Sequence, residues 1–160
     1  MNSRADARQS GADDQNVKIL ISGLDFLESG GVYTVRDSEF QLHPGEDVVE
    51  EHEGTTHRFF AEGEVTTYDE YGDVYTSYSL YVETERDGEK KTQLLVEQDA
   101  FDDSMISVLF IGDIDGDGIL DIITDNTYHY NVSIPTLYLS RPAQGDEILK
   151  KVGEHQSVGC

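Results

Sequence analysis

At 160 residues the chain has room for one domain with its own core and is short of what two independent domains need. Its 33 acidic residues against 11 basic ones give a formal charge of -22, which repels phosphate backbones and anionic membrane surfaces, so no nucleic-acid partner is expected. Hydrophobic residues still make up 37% of the chain and fall into alternating runs, so the acidity marks the surface of a folded body and not a disordered polymer.

Residues 1–16 are polar and have no hydrophobic period, the composition of a mobile N-terminal tail. They lack the apolar stretch of a signal peptide, and no run is long enough for a membrane span; an exported protein whose leader has been removed reads the same way. A single β domain is expected over residues 17–155, followed by a C-terminal tail at 156–160. Cys160 is the only cysteine, so no internal disulfide can form.

Order begins near Val17, where Val17, Ile19 and Ile21 alternate with Lys18, Leu20 and Ser22, and a second strand follows the Gly30-Gly31 break at residues 32–35. Residues 36–54 read as an acidic surface connection, with at most a short strand around 40–42. Residues 56–98 form the clearest meander. Strand-like runs at 58–68, 74–85 and 90–98 are joined across residues 69–73 and across Asp87-Gly88, a pair that tolerates the positive φ of a two-residue turn. In the second run Val74, Thr76, Tyr78, Leu80 and Val82 share one face, read as core. Tyr75 and Tyr81 fall on the other, roughly 20 Å apart. They are candidates for supporting an extended ligand, with packing against a neighbouring loop as the competing reading.

Residues 105–111 are almost continuously apolar, as in a strand buried on both faces. Strands follow at 119–123 and 135–140, and a last strand or short helix at 147–152. No longer helical period occurs, so the expected fold class is all-β: a compact antiparallel meander or sandwich, or a small barrel.

Between two of these strands lies Asp113-Ile114-Asp115-Gly116-Asp117-Gly118-Ile119-Leu120-Asp121. Calcium takes six to eight oxygen ligands from a tightly coiled loop, and alternate aspartates meet that need. Asp113, Asp115 and Asp117 hold positions 1, 3 and 5, Gly118 permits the sharp turn, Ile119 offers its carbonyl at position 7, and Asp121 closes at position 9. Crowded carboxylates repel one another without a cation, which couples metal binding to folding. Magnesium demands a more rigid octahedron, and zinc would need His or Cys in the loop. An EF-hand is excluded because position 12 is Thr124 and the flanks are β-rich.

Residues 112–123, followed by Leu137-Tyr138-Leu139-Ser140, resemble the FG-GAP or VCBS repeat of integrin α-subunit propellers and of many bacterial exported proteins. The resemblance covers about 35 residues, within 105–140. It implies a structural calcium site between neighbouring strands of a propeller-type blade, in a protein facing outside the cytoplasm. Such repeats occur in series, and this chain holds one, so a single blade-like calcium hairpin inside a small β-domain is expected and a complete propeller is not.

Other clusters are weaker signals. His52 and His57, set among Glu50, Glu51 and Glu53, suit either a second metal site or a mobile acidic loop. Asp99, Asp102 and Asp103 suit a turn, a hydrolytic carboxylate pair or an outer calcium ligand. No catalytic constellation emerges. The expected function is therefore that of a calcium-stabilised binding or surface module, periplasmic, cell-surface or secreted, with a protein or carbohydrate partner. The alternatives are a hydrolase with a calcium-dependent acidic site and an acidic protein that binds a basic partner.

Overall fold

Alternation of β-branched and aromatic residues with polar ones gives thirteen strands and no helix among the described residues, 2–9 and 17–160, of the computed structural model. They are β1 (Asn2–Gln9), β2 (Val17–Ser22), β3 (Gly30–Arg36), β4 (Asp47–His52), β5 (Thr55–Tyr68), β6 (Gly72–Arg86) and β7 (Glu89–Ala100). The rest are β8 (Ser107–Asp113), β9 (Asp121–Asp125), β10 (Val132–Ser133), β11 (Pro135–Leu139), β12 (Lys150–Glu154) and β13 (Ser157–Val158).

A seven-stranded sheet runs in the order β12-β11-β9-β8-β3-β1-β2, and a four-stranded meander in the order β4-β5-β6-β7. Pairing is antiparallel except between β1 and β3. Both sheets have open ends, so of the expected architectures the sandwich holds and the barrel does not. Phe59, Tyr78, Leu80 and Val82 of the meander meet Val108, Ile111, Ile122 and Tyr138 of the larger sheet in one core. Phe110 and Leu139 point to the opposite face and join Leu27, Val32 and Ile114 in a second cluster. The strand expected to be buried on both faces, β8, is so because the meander covers Val108 and Ile111 on one side and the cluster of Leu27 and Val32 covers Phe110 on the other, with a register shift between Val108 and Phe110.

Three stretches differ from the expected layout. Residues 36–54 are not merely a connection: β4 pairs along its whole length with β5 through a two-residue turn, Glu53 and Gly54, with φ of 47° and 79°. This is the same turn chemistry as Asp87-Gly88, whose φ values are 51° and 79°. The backbone of Asn2–Gln9, in the stretch read as a tail, pairs with β2 and β3; the remainder of that stretch, Met1 and residues 10–16, lies outside the described residues. Ser157 and Val158 pair with β10 instead of trailing free. Both side chains are exposed, so only backbone bonding marks the strand.

In β6 the core face holds for Tyr78, Leu80 and Val82 but breaks at Ser77, whose φ of 52° accompanies a register shift between Glu62 and Glu64 on β5. Beyond that bulge the parity inverts. Tyr75 packs toward the core while Val74 is 38% exposed.

Candidate metal centre

Residues 114–120 join β8 to β9 across the pair Gly112 and Asp121, and two carboxylates coil this loop by accepting backbone N–H groups that a tight turn leaves without partners. The N–H groups of Gly116 and Asp117 donate to Asp113 Oδ1 at 2.8 and 3.1 Å, and that of Gly118 to Asp113 Oδ2 at 2.9 Å. Asp121 is wholly buried. Its Oδ2 accepts from the N–H groups of Ile114 and Asp115 at 2.6 and 3.2 Å, and its Oδ1 from that of Ser140 on the far side of β11 at 2.8 Å. Gly112 is obligatory for a steric reason, because a Cβ there would lie 2.3 Å from the Tyr33 carbonyl oxygen and 2.8 Å from the Phe110 ring.

Coiling brings Asp113, Asp115 and Asp117 together, each offering an oxygen within 4.8 Å of the others. This is the span of two ligands on opposite sides of one ion at roughly 2.4 Å. The Ser140 hydroxyl sits between two of them, 2.8 Å from both Asp117 oxygens and 3.4 Å from both Asp115 oxygens. One hydroxyl carries one proton and cannot serve four acceptors. Asp115 gains the Arg141 N–H at 2.9 Å, and the Arg141 side chain donates to the Asp115 carbonyl at 2.6 Å. The cluster is thus rich in oxygen and poor in protons, and could hold a metal ion.

The second sheet closes over the loop. His52 Nε2 lies 3.0 Å from Asp113 Oδ2, and its ring stacks on Tyr33 at 4.2 Å. Glu53, in the β4–β5 turn, places its carboxylate against Gly118, where an added Cβ would come within 2.4 Å of Glu53 Oε2. His57, fully buried on β5, accepts the Leu120 N–H at Nε2 (3.1 Å), which leaves Nδ1 to carry the proton.

Electrostatics register the crowding. Burial pushes the Asp115 carboxyl up to about 6, opposed by the hydrogen bond from Arg141 and reinforced by the charge of Asp117. Asp121 is raised well above the usual carboxylate range, again chiefly by burial and then by Asp115. Burial, followed by proximity to His52, lowers His57 to about 4, so its ring is neutral at pH 7.

The chain matches no protein family, no curated protein and no solved structure.

Of the five expected ligands, Asp113, Asp115 and Asp117 converge. Asp121 stands behind them, committed to three backbone donors, and the N–H of Ile119 ties Asp117 Oδ1 at 2.9 Å. His52 and His57 belong to the paired β4–β5 hairpin, which they tie to the aspartate loop through Asp113 and the Leu120 N–H; among the described residues no second metal-ligating group forms around them. Ser140, Arg141, His52 and Glu53 come from distant segments and carry no local motif, although an alternating run ending in Glu-Gly was a hairpin signal. Tyr75 lies 5.3 Å from the His43 ring, and Tyr81 stacks on Phe60 at 5.1 Å, so each tyrosine has an aromatic neighbour within the domain. Asp102 pairs with His129 at 2.9 Å, and Asp103 turns the chain at a φ of 50°, both in the connection before β8.

Proposed function

We propose that the chain is a calcium-binding β-domain that works outside the cytoplasm as a binding or surface module, with the ion stabilising its fold. The observation that carries this reading is the convergence of Asp113, Asp115 and Asp117, each offering an oxygen within 4.8 Å of the others, with the Ser140 hydroxyl between Asp115 and Asp117. All donors at the focus are oxygens, in a loop coiled by its own backbone, which suits a hard cation of flexible coordination and favours calcium over magnesium and zinc. Ser140 adds a neutral oxygen from β11. The likeness of residues 112–123 and 137–140 to an FG-GAP or VCBS repeat supports the same reading. Sites in extracellular modules bind in the range of roughly 10⁻⁴ to 10⁻³ M, where calcium outside cells is abundant.

Calorimetric titration of the chelator-treated chain, with thermal melting in calcium and in chelator, tests the proposal. One ion per chain is expected, and at a hundredfold excess over Kd a stabilisation of about 2.7 kcal/mol. The pair Asp115→Asn and Asp117→Asn removes both responses and leaves the β-sheet circular dichroism unchanged. A wild-type chain that gives no binding heat and no melting shift with calcium rejects the reading.

A further inference from the structure

The meander carries an element that its core does not explain. Pairing of β4 with β5 ends at Asp47 and Phe60, and pairing of β7 with β6 ends at Ala100 and Thr76. Ala61 is still bonded by the approach to β4, accepting from the Gly45 N–H at 2.9 Å and donating to the Glu46 carbonyl at 3.1 Å; past it β5 and β6 continue alone as a two-stranded ribbon down to the pair Tyr68 and Gly72. Every residue from 62 to 74 is exposed. Two-stranded ribbons are marginal in water, yet this one is built from strand formers, with Val65 49%, Tyr68 51%, Tyr71 82% and Val74 38% exposed. On the β5 side the backbone bonding stops at Ala61, and a groove of about 420 Å³ opens there, lined by Pro44, Glu46, Arg58, Phe60, Glu62 and Val65, with the Arg58 charge already met by Asp47 at 2.8 Å. An extended segment entering this groove continues the line of β4 and meets the unpaired edge of β5.

Charge selects the occupant. The ribbon holds Glu62, Glu64, Asp69, Glu70 and Asp73 and no basic residue. A second copy would bring the same five carboxylates to the same edge, so self-pairing is opposed. We propose that the unpaired edge of β5, residues 62–68, is a docking strand for an extended basic segment of another protein. The segment adds as a neighbouring strand, its Lys or Arg side chains meeting Glu62 and Glu64 on one face and its alternate apolar side chains covering Val65 on the other. This deepens the binding-module reading and rests on it, but uses no residue of the metal loop.

The test uses the full, calcium-loaded chain, isotope-labelled, and a synthetic nine-residue peptide alternating Lys and Val. The expected result is shift changes in amide spectra confined to the ribbon and the groove, a salt-dependent affinity, and loss of binding when alternate peptide amides are N-methylated on the pairing edge. Glu62→Gln with Glu64→Gln, both exposed and outside the core, weakens binding about tenfold. Binding that ignores N-methylation, shifts mapped elsewhere on the acidic surface, no binding at all, or dimerisation through the ribbon in sedimentation each overturns the proposal. Calcium titration of the same samples separates the two claims: a normal calcium response without peptide binding removes the docking strand alone, and an absent calcium response removes the metal reading alone.

Discussion

The metal loop and the β5–β6 ribbon are both acidic, both hairpin connections, and opposite in construction. In the loop, Asp113, Asp115 and Asp121 turn inward, the first and last coiling the backbone by accepting its N–H groups under a second sheet, and only Asp117 stays exposed; in the ribbon every carboxylate stands in water. Acidity becomes a site only where oxygens converge faster than protons are supplied. Elsewhere it is surface.

The largest expected effect lies in the loop. Asp121→Ala leaves three buried N–H groups without an acceptor, and at roughly 1 to 3 kcal/mol each the chain should lose about 3 kcal/mol or more in urea denaturation, with calcium failing to restore it. In the ribbon, Glu64→Ala should change stability by less than about 0.5 kcal/mol, and a larger loss there would erase the contrast.

Gly118→Ala comes next. Its φ of 88° and the Glu53 carboxylate both oppose a methyl group, so a destabilisation of about 2 kcal/mol is expected, partly relieved by adding Glu53→Ala because the steric part disappears and the backbone strain stays. Equal losses in the single and double variants would show that Glu53 does not press on the loop.

A pH series sharpens the electrostatic side. Asp115 binds its proton more tightly in the fold than in the unfolded chain, up to about 6 against an ordinary 3.8. Its contribution is thus fully present below about pH 4 and lost as pH rises through 6. Without calcium Asp115 lowers the melting temperature between pH 5 and pH 7.5. His57, held down to about 4 in the fold, raises it as the unfolded imidazole loses its proton, so the Asp115 part is read as the difference from Asp115→Asn. The gain on adding calcium should grow over the same interval. A calcium response constant across that range would contradict the protonation of the loop.

The smallest effect expected around the loop is that of His52→Ala, which removes one hydrogen bond to Asp113 and the stacking on Tyr33. About 1 kcal/mol is expected, read as a denaturation midpoint.

Much of this was legible in the sequence because it is local. The spacing of Asp113, Asp115 and Asp117 with Gly118 determines a coiled loop whatever lies around it, and Asp87-Gly88 determines its own turn. What escaped was non-local or depended on parity. Ser140 and His52 reach the loop from 23 and 61 residues away through the stacking of strands and of sheets, which no spacing encodes. One bulge at Ser77 inverted the faces of Val74 and Tyr75, because a period-two pattern loses its meaning past an inserted residue. Asp121 was legible as a required carboxylate, yet its hydrogen bonds, unlike its position, make it the post on which the loop is wound.

Strand β5 carries a mechanical consequence. It is fourteen residues long, roughly 45 Å, with His57 under the metal loop at one end and the exposed ribbon at the other. A partner tugging on the ribbon loads this strand lengthwise, in shear against β4 and β6, and the tension arrives at the turn that clamps the loop. Under the proposed metal reading, filling the loop with an ion should therefore raise the force at which the domain gives way, so that the ion sets the mechanical strength of β5 from the far end of the strand.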